Sequence, residues 1–122
     1  SDKGLDYKEI GEKIAQKVER EAEDMKKAEF MQDKIGEEFD GIISSVTSFG
    51  IFVELENTVE GLIRWEDLGD EYFIFDEKTK TAVGEKTKTK YQIGMPIHIQ
   101  VIRADKNTRE IDFRSTGTFL FG

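Results

Sequence analysis

A chain of 122 residues with 26 acids against 18 bases, a formal charge of −8, has room for one modest core and an appendage. Nine phenylalanines and regular Ile, Val and Leu usage argue for a folded globule and against disorder. The absence of cysteine excludes disulfide frameworks, thiolate metal sites and cysteine nucleophiles.

The amino terminus, Ser1-Asp-Lys-Gly, shows no basic region followed by an apolar one, so no export signal is expected. No apolar run approaches the roughly 20 residues that span a bilayer. The expected setting is therefore cytoplasmic, without membrane contact, and the expected state a monomer. From about Tyr7 to Met31 the pattern is helical. Ile10, Ile14, Val18, Ala22, Met25, Ala28 and Met31 recur every three or four residues and lay one apolar stripe along a helix. Gly11 is a weak spot that could divide a short first turn from the main helix. The stripe reads as a protein-packing face.

After Gly36 the texture changes. Glu37 to Ser45, Gly50 to Leu55, Val59 to Ile63, Pro96 to Arg103 and Glu110 to Phe113 are short segments rich in Val, Ile and Phe. Thr47-Ser-Phe-Gly50, Glu56-Asn-Thr58 and Asp105-Lys-Asn107 supply turns between them. Five strands with a long excursion between the third and fourth predict an all-β, five-stranded closed barrel of the oligonucleotide/oligosaccharide-binding type, preceded by the helix. In the excursion, Arg64 to Gln92, Trp65-Glu-Asp-Leu68 suits a helical turn. Glu77 to Lys90 has no large apolar anchor besides Val83 and reads as a mobile loop. Tyr72, Phe73 and Phe75 are expected to anchor its base, with one of them left to extend an aromatic platform.

Charge is unevenly spread. Residues 1–40 hold thirteen acids and eight bases, net −5, whereas residues 41–122 hold thirteen acids and ten bases, net −3. Lys78, Lys80, Lys86, Lys88 and Lys90 crowd one loop, so the average conceals a possible basic surface. That loop reads either as plainly solvated or as an electrostatic fringe that attracts a polyanion without reading its sequence. Phe49 and Phe52 sit where one sheet face could offer bare rings to bases. Strict strand alternation would put them on opposite faces, but Phe49 lies in the turn, where the backbone can redirect it. The competing reading sends one ring into the core.

Gly41-x-Ile-x-x-Val-x-x-Phe-Gly-x-Phe-Val53, then Glu60-Gly-Leu-Ile-Arg64, Ile93-Gly-x-x-Ile97 and Asp105-x-x-x-Arg109-x-Ile111 together resemble the S1-type RNA-binding domain. Lys26-Lys-Ala-Glu-Phe-Met31, Ile35-Gly-Glu-Glu-Phe-Asp-Gly41, Tyr72-Phe-Ile-Phe-Asp76 and Glu110-Ile-Asp-Phe113 further resemble the carboxy-terminal region of bacterial ribonuclease R, within the ribonuclease II family. The resemblance implies three parts: residues 1–34, a helix closing a catalytic domain; residues 35–115, the S1-type barrel; and residues 116–122, a tail without assignment. It implies single-stranded RNA and the parent catalytic domain as partners, and no cleavage by this stretch itself. The parent's processive 3′-to-5′ exonuclease activity would use magnesium held in that absent domain, with no cofactor here.

Carried over position by position, the resemblance makes Phe49 and Phe52 the exposed aromatics of the second strand. Arg64 falls where many members carry histidine, and it removes pH dependence near neutrality. Asp105 and Arg109 match the acidic and basic pair before the last strand. The RNA-contacting set is then Phe49, Phe52, Arg64, Tyr72, Asp105 and Arg109, with Lys86 and Lys88 from the basic loop and Arg114 a further cation. Glu66-Asp67 and Asp70-Glu71 are sequential acids on a surface turn, a poor match to a two-metal hydrolase. His98, between Ile97 and Ile99, projects away from the core as a surface histidine without a second histidine to form a metal cluster. Two rival readings remain: a protein-interaction module using the acidic helix, and a free-standing S1-type regulator of translation.

Overall fold

The computed structural model describes residues 7–117, with side chains from Glu12 onward. Helix α1 (Tyr7–Gln32) leads into strands β1 (Glu38–Val46), β2 (Gly50–Leu55) and β3 (Glu60–Arg64), followed by a short helix α2 (Trp65–Leu68). Strands β4 (Phe73–Asp76), β5 (Thr81–Gly84) and β6 (Lys90–Tyr91) come next, and β7 (Pro96–Asp105) and β8 (Glu110–Gly117) complete the chain. Strands β1-β2-β3-β8-β7 form a closed barrel, as the five predicted segments required.

Alternation builds the barrel core. In β7, Ile97, Ile99 and Val101 point inward and are fully buried, while His98 and Gln100 point out. A register shift between Val101 and Arg103 then turns Ala104 inward, so the strand bends as it meets β8. Ile43, Ile51, Val53, Ile63 and Phe113 fill the interior. Full burial of a side chain such as Phe113 contributes about 1.5–3 kcal/mol. Its ring occupies space that glycine leaves open: a Cβ on Gly61 would stand 2.5 Å from Phe113. The barrel closes where β3 runs parallel to β8, with Leu62 opposite Asp112.

Three features differ from the sequence expectation. Helix α1 continues through Gly11 without a break, since the good helix formers around it outweigh one glycine. Strand β8 runs on to Gly117, into the segment assigned to a tail, because Ser115 and Gly117 pair with Ile99 and His98 of β7; the rest of that tail lies outside the described residues. The Glu77 to Lys90 part of the excursion, expected to be a mobile loop, contributes β5 and the start of β6 to a three-stranded sheet, β4-β5-β6. Phe73, Ala82 and Tyr91 are its buried anchors, and small Ala82 gave no sign of that role in the sequence.

Only the end of the α1 stripe meets the barrel. Ala28 and Met31 are fully buried, and the connector docks on β7 through Gly36 N–H to Val101 O (2.8 Å) and Val101 N–H to Glu37 O (3.0 Å). About one, three and four turns before Ala28, Met25, Val18 and Ile14 are exposed. Ile10 is outside the described side chains.

Candidate nucleic-acid interface

The aromatic pair is built by a strand and its turn. Ile51 and Val53 of β2 face the core, so Phe52 between them faces out and is half-buried. In the preceding turn, Thr47 donates to Gly50 O from its amide (2.9 Å) and its hydroxyl (2.7 Å). Gly50 lies against β3, where a Cβ would come 2.3 Å from Ile63 O, so the turn closes only with glycine there. This geometry leaves Phe49 56% exposed and sets its ring edge-on to Phe52, with centroids 6.0 Å apart and planes at 88°. Neither ring enters the core. Trp65 braces the turn from α2: its indole N–H donates to Ser48 O at 2.8 Å, and its ring stacks on Phe73 at 5.5 Å. The sequence placed Trp65 only in a helical turn and gave no sign of this bond, which spans seventeen residues.

Phe52 borders a groove of about 500 Å³ between β2, β3 and the β7–β8 turn, with α1 along one side. Arg64 and Arg109, both in the expected RNA-contacting set, line it, and Asp24 and Lys27 of α1 join them. Acids are also present, namely Glu54, Glu60, Glu110 and Asp112. Glu60 accepts a 2.6 Å hydrogen bond from the Ser44 hydroxyl. The groove is therefore mixed in charge, with one aromatic ring, Phe52, and cations at separate points in its lining.

Asp112 was absent from the sequence-derived set. Its carboxylate is buried and accepts hydrogen bonds from Arg103 through Nε (2.7 Å) and Nη2, while Arg64 Nη2 stands 3.7 Å from the same oxygen. This buried anion orients Arg64 at the groove. An outward-pointing strand position beside Ile111 and Phe113 gave no warning of burial.

The other expected residues lie elsewhere or do other work. Asp105 Oδ1 accepts the amides of Asn107 (2.8 Å) and Thr108 (3.4 Å), so it shapes the turn that presents Arg109. Arg109 itself has φ of 63°, a left-handed turn conformation. Tyr72 is exposed at the start of β4 and does not line the groove. Lys86 lines a different hollow, with Glu71, Thr87 and Tyr91, and Lys88 sits in the same β5–β6 turn. Lys80 lies over the Phe75 ring and, with it, borders a third hollow beside Thr47 and Ser48. Arg114 Nε donates to Gln100 on the β7–β8 face, away from the groove. His98 bonds Asp40 through Nδ1 (2.6 Å) and Glu38 through Nε2 (3.2 Å); mainly the Asp40 bond, opposed by some desolvation, raises its pKa.

The S1 RNA binding domain family matches residues 32–114. The chain belongs to the S1 RNA-binding domain family. This S1 domain is 51% identical over 102 residues to ribonuclease R 1 of Lactococcus lactis, covering 84% of the chain and 12% of that protein. It is 42% identical over 103 residues to ribonuclease R of Aquifex aeolicus, covering 84% and 15%. The solved apo structure of Mycoplasma genitalium RNase R superposes with a TM-score of 0.75 at 32% identity, covering 80% of the chain and 15% of that one. The same enzyme in complex with ribose-methylated single-stranded RNA gives the same score, identity and coverage. The chain thus spans roughly an eighth to a seventh of the length of these relatives.

Among the described residues of the S1 domain, no group of three or more His, Asp or Glu side chains is arranged to hold a metal ion. No helix among them is long and apolar enough to cross a membrane.

Proposed function

We propose that this S1 domain holds single-stranded RNA in the groove bordered by Phe52, as one module of a longer 3′-to-5′ exoribonuclease of the ribonuclease R type. The observation that carries the reading is the outward-facing Phe49–Phe52 pair, whose Phe52 shares a groove with Arg64 and Arg109. An aromatic ring accepts the face of any base, so stacking contributes about 1–3 kcal/mol per base with little sequence preference. Arg64 and Arg109 meet the phosphates, and the acids beside them keep affinity modest and sensitive to salt. Cleavage and its magnesium belong to a catalytic domain elsewhere in the full protein; this stretch grips and delivers. A cytoplasmic location fits that role.

Titration of the ¹⁵N-labelled chain with a short unstructured oligoribonucleotide tests the site. Chemical-shift changes are expected around Phe49, Phe52, Arg64 and Arg109. Changes centred on the β4–β6 sheet or the outer β7–β8 face would move the site elsewhere.

A second contact is favoured by its own observation, the exposure of Ile14, Val18 and Met25 on α1. This apolar face packs on the parent catalytic domain. Hydrogen exchange at Ile14 and Val18 is then slower in the full-length enzyme than in the isolated chain; equal rates would remove this contact.

A further inference from the structure

We infer that α1 is one wall of the RNA groove and that Lys27 holds a phosphate of the strand lying on Phe52. The inference rests on the RNA-binding reading above and extends it to a residue outside positions 32–114, which match the S1 family.

Helical geometry puts Lys27 there. Positions 24, 27, 28 and 31 fall on one face of a helix, three or four residues apart. Ala28 and Met31 on that face are fully buried against the barrel, so the rotation of α1 is fixed by packing. Asp24 and Lys27 then overhang the groove that contains Phe52, Arg64 and Arg109. Lys27 is half-buried along its length, as expected of a side chain whose aliphatic stem lies on the protein while the ammonium reaches water.

Its charge is not consumed by an ion pair within the described fold. Among the described residues, neither Lys27 nor Arg109 forms an ion pair, whereas Arg64 stands beside Asp112. Three cations from three separate elements therefore line the groove that Phe52 borders. Glu54, Glu60 and Glu110 repel phosphate from the space between them, and Asp24, one turn before Lys27, does so on the helical side. A strand whose bases stack on Phe52 is left to run its backbone past the cationic points, and Lys27 is the point on the helical side. Affinity for RNA then depends on how α1 is docked, a link that a barrel alone would lack.

The test is fluorescence anisotropy of the 122-residue chain with an end-labelled single-stranded oligouridylate, across a salt series. Lys27→Ala is expected to raise Kd about 3–10-fold and to lower the log–log salt slope by about 0.7, the loss of one phosphate contact. Lys27→Gln, which keeps most of the stem, should do the same, and Lys27→Arg should bind like the parent. Lys26→Ala, at an exposed neighbour that does not line the groove, should stay within about twofold, since it removes a like charge but no phosphate contact. If Phe52→Ala weakens binding while Lys27→Ala and Lys27→Gln match Lys26→Ala in affinity and slope, the helical wall is refuted and the RNA groove stands. If Phe52→Ala also has no effect, the RNA reading falls with it.

Discussion

Glu71 grips Thr87 at two points, accepting its amide at Oε1 (2.9 Å) and its hydroxyl at Oε2 (2.8 Å). The Lys86 amide adds a third bond at 2.7 Å. One carboxylate before β4 thus closes the turn between β5 and β6, and Gly84 leaves it room, since a Cβ there would sit 2.5 Å from the Glu71 carboxylate. The Thr87 amide bond foremost, against some desolvation, lowers the Glu71 pKa.

Glu71→Ala should therefore open this turn. Amide exchange at Lys86 and Thr87 is expected to quicken several-fold, with the barrel amides unchanged. Because the folded-state pKa is lowered, the clasp contributes above the ordinary carboxylate range and is lost as pH falls through the folded value. Acidification of the parent protein should reproduce the mutant's exchange pattern. Equal exchange in parent and mutant at neutral pH would show that the turn holds without Glu71.

The same turn shows where sequence reading stops. The barrel strands were legible because Ile97, Ile99 and Val101, or Ile51 and Val53, alternate with polar or outward residues, a local signal. The outward direction of Phe52 was legible for the same reason, but Phe49 was not: strict alternation would put it on the opposite face, and only the turn of Thr, Ser and Gly allowed the two rings to share a side. The β4–β6 sheet was not, because its order comes from Glu71 reaching fifteen and sixteen residues ahead and from Trp65 stacking on Phe73. Asp112 escaped notice because its burial depends on two arginines from other strands. Lys27 carried no mark beyond its place in a helix, since the groove it overhangs exists only after the barrel closes.

Phe49→Ala and Phe52→Ala should each weaken single-stranded RNA binding by about 1–3 kcal/mol, the value of one stacked base. Phe49 is exposed, so its removal should leave the melting temperature near that of the parent. Phe52 is half-buried, and its removal should lower Tm modestly. Since the rings touch, the double variant should lose less than the sum of the two. Anisotropy and thermal melts check all three; unchanged affinity in both single variants would place the RNA face elsewhere.

Asp112 and Arg103 predict an asymmetry in stability. Arg103→Ala leaves the buried Asp112 carboxylate with only Arg64 at 3.7 Å. An under-compensated buried charge is costly. Asp112→Ala instead frees two guanidiniums that are 54% and 40% exposed and can reach water. Arg103→Ala should accordingly melt several degrees below the parent and below Asp112→Ala. The opposite order in a thermal scan would mean that the carboxylate gains little from its arginine partner.

His98 makes stability depend on pH with a definite sign. Its pKa is raised above the ordinary value, chiefly by the Asp40 bond, so the folded state binds its proton more tightly than the unfolded chain does. The stabilisation is fully present below the unfolded value of about 6.5 and is lost as pH rises through the folded value. The Tm difference between the parent and His98→Gln should thus be widest near pH 5 to 6 and shrink toward pH 8. The histidine is 36% exposed, so solvent screening keeps the effect small, and added salt should reduce it further. A difference that grows with pH across this range would mean that His98 is stabilised as the neutral imidazole, contrary to its two acidic neighbours.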